Sequence, residues 1–160
     1  MFQTIKVVGV SGCGKTTLIR EFIKKYPQYS HMSFGEFIGL YGTRADKEWD
    51  RQLKQYLGIV LIDDHLEWGD RNFVSLYRSE HTLAILLITA DINEIISRRR
   101  NDRNKVRDLM PHTIENEQRL SIERSYSIAY SLNIPIYKLH TTSINEAIMG
   151  LEALLLRVGC

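Results

Sequence analysis

The sequence of 160 residues predicts an α/β fold in which a five-stranded parallel sheet is covered by helices on both faces. Short apolar runs alternate with helix-period segments, which is typical of successive β-α-β units. The runs at 59–62 and 83–88 lack alternating polar residues, as expected for strands buried on both sides. A glycine-rich loop joins the first run to the first helix. These observations favour one three-layer domain over residues 1–160.

Five strands are expected, in chain order at 5–8, 31–34, 58–62, 82–88 and 134–139. The starts of three helices also have recognisable chemistry. Asp91 and Ser143 each stand three residues before a glutamate, which is the spacing of a capping box. Pro111 suits a first helical turn. Because the connections between parallel strands are right-handed, the intervening helices should cover both faces of the sheet.

The composition narrows the classes of partner. A formal net charge of +2 gives no global reason to expect nucleic acid or an anionic membrane. Neither a signal peptide nor a transmembrane helix is predicted, so we expect a cytoplasmic location. Cys13 and Cys160 fit neither a disulfide framework nor a metal-ligand spacing. Cys13 is either a small residue that fits its loop or a thiol of lowered pKa at a helix N-terminus.

The glycine-rich loop at 9–16 reads Gly-Val-Ser-Gly-Cys-Gly-Lys-Thr, which matches the pattern G-x-x-x-x-G-K-[ST]. In this pattern backbone N–H groups and a helix N-terminus converge on an anion. Lys15 is expected to hold the β and γ phosphates of ATP, and Thr16 to offer its hydroxyl to Mg²⁺. The residues expected to contact ATP here are Gly9, Ser11, Gly12, Cys13, Gly14, Lys15, Thr16 and Thr17. We call residues 9–16 the phosphate loop.

A carboxylate follows the third strand directly. Asp63 comes after four apolar residues, at the carboxyl end of a strand, where open parallel sheets bind ligands. It is therefore expected to act with Thr16 in placing Mg²⁺. For the next residue, Asp64, a role in a turn or as a helix cap is as good an explanation as a role at a metal. His65 either contacts a second substrate or belongs to the turn.

A cluster of basic residues lies at 98–108, with six Lys or Arg and two Asp. Such a run is a solvated face, a nucleic-acid patch or, on a chain that binds ATP, an arginine-rich lid. Its position between two helices favours the lid. Arg124 shares a helical row with Leu120 and Ile128, so its guanidinium reaches either the surface or a buried anion.

These stretches resemble the nucleoside monophosphate kinases, most closely the archaeal-type adenylate kinases. The likeness is carried by the loop at 9–17, by Ser33-Phe34-Gly35-Glu36-Phe37, and by the segments 60–65, 98–108 and 123–130. It implies a three-layer P-loop kinase fold with an acceptor-binding segment at about 33–57 and a short lid at about 98–110. It also implies transfer of the γ-phosphoryl group of Mg-ATP to a nucleoside monophosphate, with AMP as the expected acceptor and ADP as the product.

The resemblance further implies roles for single residues. Lys15, Arg103 and Arg107 would stabilise the charge of the transferring group, and Arg99 would contact ATP. Mg²⁺ would be placed by Thr16 and Asp63. The acceptor side would comprise Ser33, Phe34, Gly35, Arg44 or Arg51, His65 and Arg124.

Other interpretations of the function stay open. The segments 31–37 and 124–126 are also similar to cytidylate kinases, and Asp63-Asp64-His65 is similar to adenylate kinase-like ATPases connected with ribosome maturation. A non-catalytic nucleotide sensor is a further possibility. A GTP-dependent switch is disfavoured because Asn104-Lys105-Val106-Arg107 lacks the aspartate of the guanine-reading Asn-Lys-x-Asp pattern.

Overall fold

The structure is a computed structural model that describes residues 1–64, 81–140 and 142–159. The strands are β1 (Phe2–Val8), β2 (Ser30–Ser33), β3 (Gly58–Asp64), β4 (Thr82–Thr89) and β5 (Ile136–His140). The helices are α1 (Lys15–Lys25), α2 (Phe34–Tyr41), α3 (Ala45–Leu53), α4 (Ile92–Asn101), α5 (Pro111–Leu132) and α6 (Ile144–Arg157), and a short 3₁₀ helix covers Gly42–Arg44.

The described strands form one parallel sheet in the order β2-β3-β1-β4-β5. The predicted α/β fold with five parallel strands is therefore confirmed. One boundary differs in an informative way: β2 ends at Ser33 and not at residue 34. Ser33 is the N-cap of α2, and its hydroxyl accepts a hydrogen bond from the Glu36 N–H at 3.4 Å. Phe34 consequently opens a helix.

Helices cover both faces of the sheet. On one face Ile5 and Val7 of β1 pack with Phe22 of α1 and Leu151 of α6. On the other face the core contains, among others, Val8, Val60, Trp49 of α3 and Ala129 of α5. β1 is thus buried on both sides, as its central position requires.

Trp49 of α3 packs against the aromatic side chains of α2. Its side chain has no exposed surface, and its ring meets those of Phe34 and Phe37 edge-on at centroid distances of 5.2 and 4.9 Å. Edge-to-face pairs of this kind add to the free energy gained from burial. The contact holds α3 against α2, and both against the sheet.

The predicted helix starts are largely found. Pro111 is the first residue of α5, and the Ser143 hydroxyl accepts from the Glu146 N–H at 3.2 Å. Asp91 is the N-cap of α4, but the predicted capping bond from its side chain is wrong. Its carboxylate instead accepts a hydrogen bond from His140 Nε2 at 3.2 Å. Within the described ranges, no helix is both long and apolar enough to cross a membrane.

Candidate nucleotide-binding site

The phosphate loop connects β1 to α1 at the carboxyl edge of the sheet. Two of its glycines are required by geometry. Gly9 has a φ of 151°, and a Cβ there would collide with the Ile88 carbonyl oxygen. Gly12 has a φ of 91°, and its Cβ would lie 3.1 Å from Cγ of Arg99. The loop backbone therefore passes close to both β4 and α4.

Lys15 is buried inside the loop, with 4% of its surface exposed. Its ammonium donates hydrogen bonds to the carbonyl oxygens of Gly9 at 2.7 Å and Val10 at 3.0 Å. An ammonium has three donors, so this group is chemically suited to bind phosphate oxygens as well. The side chain also holds the loop together, a packing role that the motif alone does not indicate.

Thr16 and Asp63 lie side by side, as the sequence predicts. The Thr16 hydroxyl donates a hydrogen bond to Oδ2 of Asp63, which is 4% exposed at the end of β3. Asp63 stands opposite Val7 of β1, so its carboxylate reaches the start of α1. The metal itself stays a prediction.

The chemistry of this pair fits Mg²⁺. Hydroxyl and carboxylate oxygens are its preferred protein ligands, and the ion usually takes its remaining ligands from water and substrate phosphates. The described part of the chain contains no group of three or more His, Cys, Asp or Glu side chains placed to hold a metal. Such a group is not needed when phosphates complete the coordination.

Two arginines of α4 contact the outer side of the phosphate loop. Nη1 of Arg98 donates to the carbonyl oxygens of Cys13 at 2.9 Å and Gly12 at 3.4 Å. Nε of Arg99 donates to the Ser11 carbonyl at 2.9 Å. The other nitrogens of Arg99 bind the Asp108 carbonyl at 3.0 Å and the Glu117 carboxylate at 2.5 Å. Arg99 thus binds three protein groups, and its predicted contact with ATP stays a prediction.

The lid segment between α4 and α5, residues 102–110, contains neither helix nor strand. Arg103 is exposed. Arg107 is half-buried and forms an ion pair with Asp102 at 3.0 Å. Their predicted role in stabilising the charge of the transferring group stays a prediction.

Three of the predicted acceptor residues lie together. Ser33, Phe34 and Gly35 lie together at the start of α2, and Ser33 stands opposite Asp63 in the sheet. The side chain of Phe34 is buried, whereas the Cβ position of Gly35 faces open space.

The remaining predicted acceptor residues lie on other elements. Arg44 is exposed before α3, and Arg51 pairs with Glu48 at 2.7 Å. Arg124 is half-buried on α5. His65 lies outside the described residues.

Sequence reasoning missed two titratable residues near the site. His31 lies on β2, where burial lowers the pKa of its imidazole although Asp63 and Glu36 raise it. Lys6 lies in the central strand, and burial lowers the pKa of its ammonium to about 8 against the opposing effect of Asp64. The only sign in the sequence that Lys6 is a buried cation is its position as the one charged residue in an otherwise apolar run.

The thiol of Cys13 is buried in the loop. Burial raises its pKa, with Lys15 acting in the opposite direction. A reactive thiolate is therefore disfavoured, and the alternative of a small residue that fits the loop is supported.

A cavity of about 240 Å³ adjoins the loop. It lies between α1, α4 and the start of α6, and Arg98 contributes to its wall. The lining residues are Cys13, Gly14, Thr17, Leu18, Ile88, Arg98, Ser143, Ile144 and Ala147.

Comparison with known proteins gives a family and a fold. The family model of the viral superfamily 1 RNA helicase core domain matches residues 5–136, a range that contains both the phosphate loop and Asp63. No curated protein sequence matches the chain.

Several solved kinases have a similar fold. Shikimate kinase from Acinetobacter baumannii, in complex with shikimate, is 12% identical with a TM-score of 0.61, over 99% of this chain and 96% of that one. Shikimate kinase from Bacteroides thetaiotaomicron is 15% identical with a TM-score of 0.59, over 96% and 98%. Thymidylate kinase from Candida albicans is 13% identical with a TM-score of 0.63, over 98% and 92%. These likenesses show a P-loop kinase fold and do not single out an adenylate kinase.

Proposed function

We propose a phosphotransferase function for this chain, which belongs to the family of the viral superfamily 1 RNA helicase core domain and has the fold of P-loop kinases. The proposed reaction is Mg-ATP-dependent transfer of the γ-phosphoryl group to a nucleoside monophosphate, with AMP as the expected acceptor. The observation that carries the proposal is the grouping of Lys15, the Thr16–Asp63 pair and Ser33 at one edge of the sheet.

The donor nucleotide would bind across the phosphate loop. Loop N–H groups and the N-terminus of α1 would receive its phosphates, and Lys15 would turn from the Gly9 and Val10 carbonyls toward them. The adjoining cavity of about 240 Å³ is smaller than most whole-ligand pockets, so it suits a base alone. Arg98 in its wall offers a flat guanidinium face for stacking.

Thr16 and Asp63 would hold Mg²⁺ beside the phosphates. When bound, the ion would neutralise charge on the phosphate oxygens. Asp63 is buried at the end of a central strand, so its carboxylate is fixed in place before ligands arrive. Fixed charges of this kind need little reorganisation during the reaction.

The acceptor would bind on the β2 side of Asp63, near Ser33 and Gly35, with Arg44 or Arg51 meeting its phosphate. An oxygen of the acceptor phosphate would form a bond to the γ-phosphorus as the bond to the β–γ bridging oxygen breaks. No general base is needed because the acceptor oxygen is already ionised. Lys15, Arg103 and Arg107 would neutralise charge on the transferring group after the lid closes.

A second function is favoured by the family match, whose description names an RNA helicase. In this alternative the chain hydrolyses ATP in response to a bound RNA. The exposed basic residues of the cluster at 98–108, which are Arg100, Arg103 and Lys105, would then contact phosphates of the RNA backbone. The same phosphate loop and the same Thr16–Asp63 pair would serve both reactions.

The decisive assay measures diphosphate formation from ATP with a panel of AMP, CMP, UMP, GMP and dTMP. We expect AMP to have the highest kcat/KM. A compound that joins two adenosines through a phosphate chain should inhibit by filling both sites. If kcat/KM for CMP is roughly tenfold higher than kcat/KM for AMP, the enzyme is specific for cytidylate and not for AMP. Hydrolysis that single-stranded RNA stimulates, with no diphosphate formed from any monophosphate, would favour the second function.

A further inference from the structure

We propose that Arg99 is a positioning residue for nucleotide binding: it holds the phosphate loop in its anion-binding conformation and connects that conformation to the lid. The inference rests on the proposed binding of ATP at the phosphate loop. It assigns to Arg99 an action through the backbone of the protein in place of direct contact with the nucleotide.

The first step is the burial of a charged side chain. The Arg99 side chain is 2% exposed and belongs to α4, although the residues on either side of it in the chain reach solvent. Burying an arginine costs free energy unless its donors find partners. Three of its nitrogens do so, on Ser11, Asp108 and Glu117. The structure therefore uses this side chain for internal connections.

The second step follows from the geometry of the peptide bond. In a trans peptide the C=O of one residue and the N–H of the next point in opposite directions, and the described chain has no cis peptide bonds. Arg99 holds the Ser11 carbonyl on the outer side of the loop, so the Gly12 N–H is directed to the inner side. Arg98 fixes the Cys13 carbonyl and, through it, the Gly14 N–H. Inward N–H groups are what a phosphate requires.

The third step is a steric contact that fixes the distance between loop and helix. A Cβ on Gly12 would lie 3.1 Å from Cγ of Arg99 and 3.3 Å from Cγ2 of Ile95. The loop backbone thus rests directly on the stem of the arginine. With no side chain between them, a displacement of Arg99 changes the path of the loop.

The fourth step links the loop to the lid. Asp108, whose carbonyl accepts from Nη1 of Arg99, lies near the end of the lid segment, and Glu117 lies in the second turn of α5. One guanidinium therefore joins the phosphate loop to both the end of the lid and the helix that follows it. If phosphate binding shifts the loop, the shift is transmitted through Arg99 to the lid. By the same linkage, a change in the lid conformation alters the affinity of the loop for phosphate.

A purely structural ion pair is the competing explanation. Removing one partner of a buried pair destabilises a fold whether or not the pair affects ligands. The test must therefore compare two variants that both lose the ion pair. Arg99→Met keeps the aliphatic stem but loses all three bonds. Glu117→Gln loses the ion pair but leaves Arg99 able to hold the Ser11 carbonyl.

The measurement is the affinity of the full chain for Mg-ATP by isothermal titration calorimetry, with the melting temperature measured alongside. We expect Arg99→Met to weaken ATP binding at least about tenfold, as for loss of a hydrogen bond from a charged donor. Glu117→Gln should lower the melting temperature and keep an affinity near that of the parent. Arg119→Met is the matched control, since Arg119 binds Glu123 and Asn116 on the exposed side of α5. Hydrogen exchange of the phosphate loop should be faster in Arg99→Met alone.

The outcomes separate this inference from the proposed function. Parental affinity in a folded Arg99→Met variant would overturn the inference and leave the function intact. Equal loss of affinity in Arg99→Met and Glu117→Gln would identify a structural pair and overturn it as well. If the parent does not bind ATP, both proposals fall. If Arg99→Met does not fold, the same measurements are made on Arg99→Lys and judged in the same way. The single ammonium of a lysine cannot bind Ser11, Asp108 and Glu117 together.

Discussion

Lys6 is a cation buried in the middle of the sheet, only 1% exposed, on the same strand that leads into the phosphate loop. Burial lowers the pKa of its ammonium from 10.5 to about 8, and Asp64 acts in the opposite direction. Asp64 adjoins Asp63 at the end of β3. The charge on Lys6 therefore helps to compensate a buried carboxylate next to the proposed metal ligand, at a cost in stability.

We expect the free energy of unfolding to increase as the pH rises from about 8 to 10.5, the interval between the folded and unfolded pKa values of Lys6. Below that interval both states carry the charge, and the folded state bears the full cost of burying it. Within the interval the unfolded chain binds more protons, so raising the pH favours folding. The effect amounts to about 3 kcal/mol at most.

Urea denaturation of the parent and of Lys6→Met across this pH interval tests the effect. The increase with pH should be smaller in Lys6→Met, which has no titrating group at this position. Parallel profiles for the two proteins would show that Lys6 does not titrate there.

At the residue level, the sequence predicted what short-range patterns encode. The Gly-Lys-Thr of the loop and the acid after the apolar run 59–62 were enough to predict that Thr16 and Asp63 lie side by side. The predicted contact of Arg99 with ATP stays a prediction, but its protein partners could not be predicted, because a run of charges does not reveal which groups each side chain binds. The acceptor of Arg99 at Ser11 lies 88 residues away in the chain. Only the packing of α4 beside the loop brings the two together.

At the scale of elements, the lid segment 102–110 connects α4 to α5 and contains neither helix nor strand. Val106 and Met110 are exposed there, and one ion pair joins Arg107 to Asp102. Both side chains of this pair keep part of their surface in solvent, so the pair adds little to stability. We expect the segment to change conformation when a nucleotide binds, while Arg99 holds its end through the Asp108 carbonyl.

Replacing both Arg103 and Arg107 with alanine should lower kcat at least about tenfold and barely change the melting temperature, since these side chains are expected to act only after closure. Steady-state kinetics and a melting curve on one preparation measure the two effects. Arg119→Ala with Lys24→Ala is a control that also removes two exposed charges. Parental kcat in the lid variant would exclude these arginines from the mechanism. Salt-sensitive RNA binding that disappears in it would instead support the RNA-dependent function.

The elements themselves were well predicted because their signals are local. All five strands were placed within a few residues, and Pro111 and Ser143 marked helix starts correctly. The errors arose where tertiary contacts compete with local ones. Asp91 caps no N–H group because its carboxylate is bonded to His140 at the end of the neighbouring strand. A partner from another element could not be inferred from the capping pattern.

For the whole molecule, the strand order determines what the site can contain. β1 lies between β3 and β4, so Asp63 and the phosphate loop share one edge of the sheet. β2 lies outside β3, which places Ser33 beside Asp63 and the proposed acceptor next to the proposed metal. Alternating apolar runs predicted a parallel sheet but not this order. The strand order depends on tertiary packing, which a pattern of apolar runs does not encode.

The proposed function requires transfer of a phosphoryl group to a second substrate and not only to water. The most direct measurement follows the label from ATP radiolabelled at its γ-phosphoryl group, with Mg²⁺ and AMP present. We predict that the label appears in ADP. We also predict that Lys15→Met, which keeps the stem but loses the ammonium, transfers almost none. Label found only in inorganic phosphate, with AMP unchanged, would contradict the account.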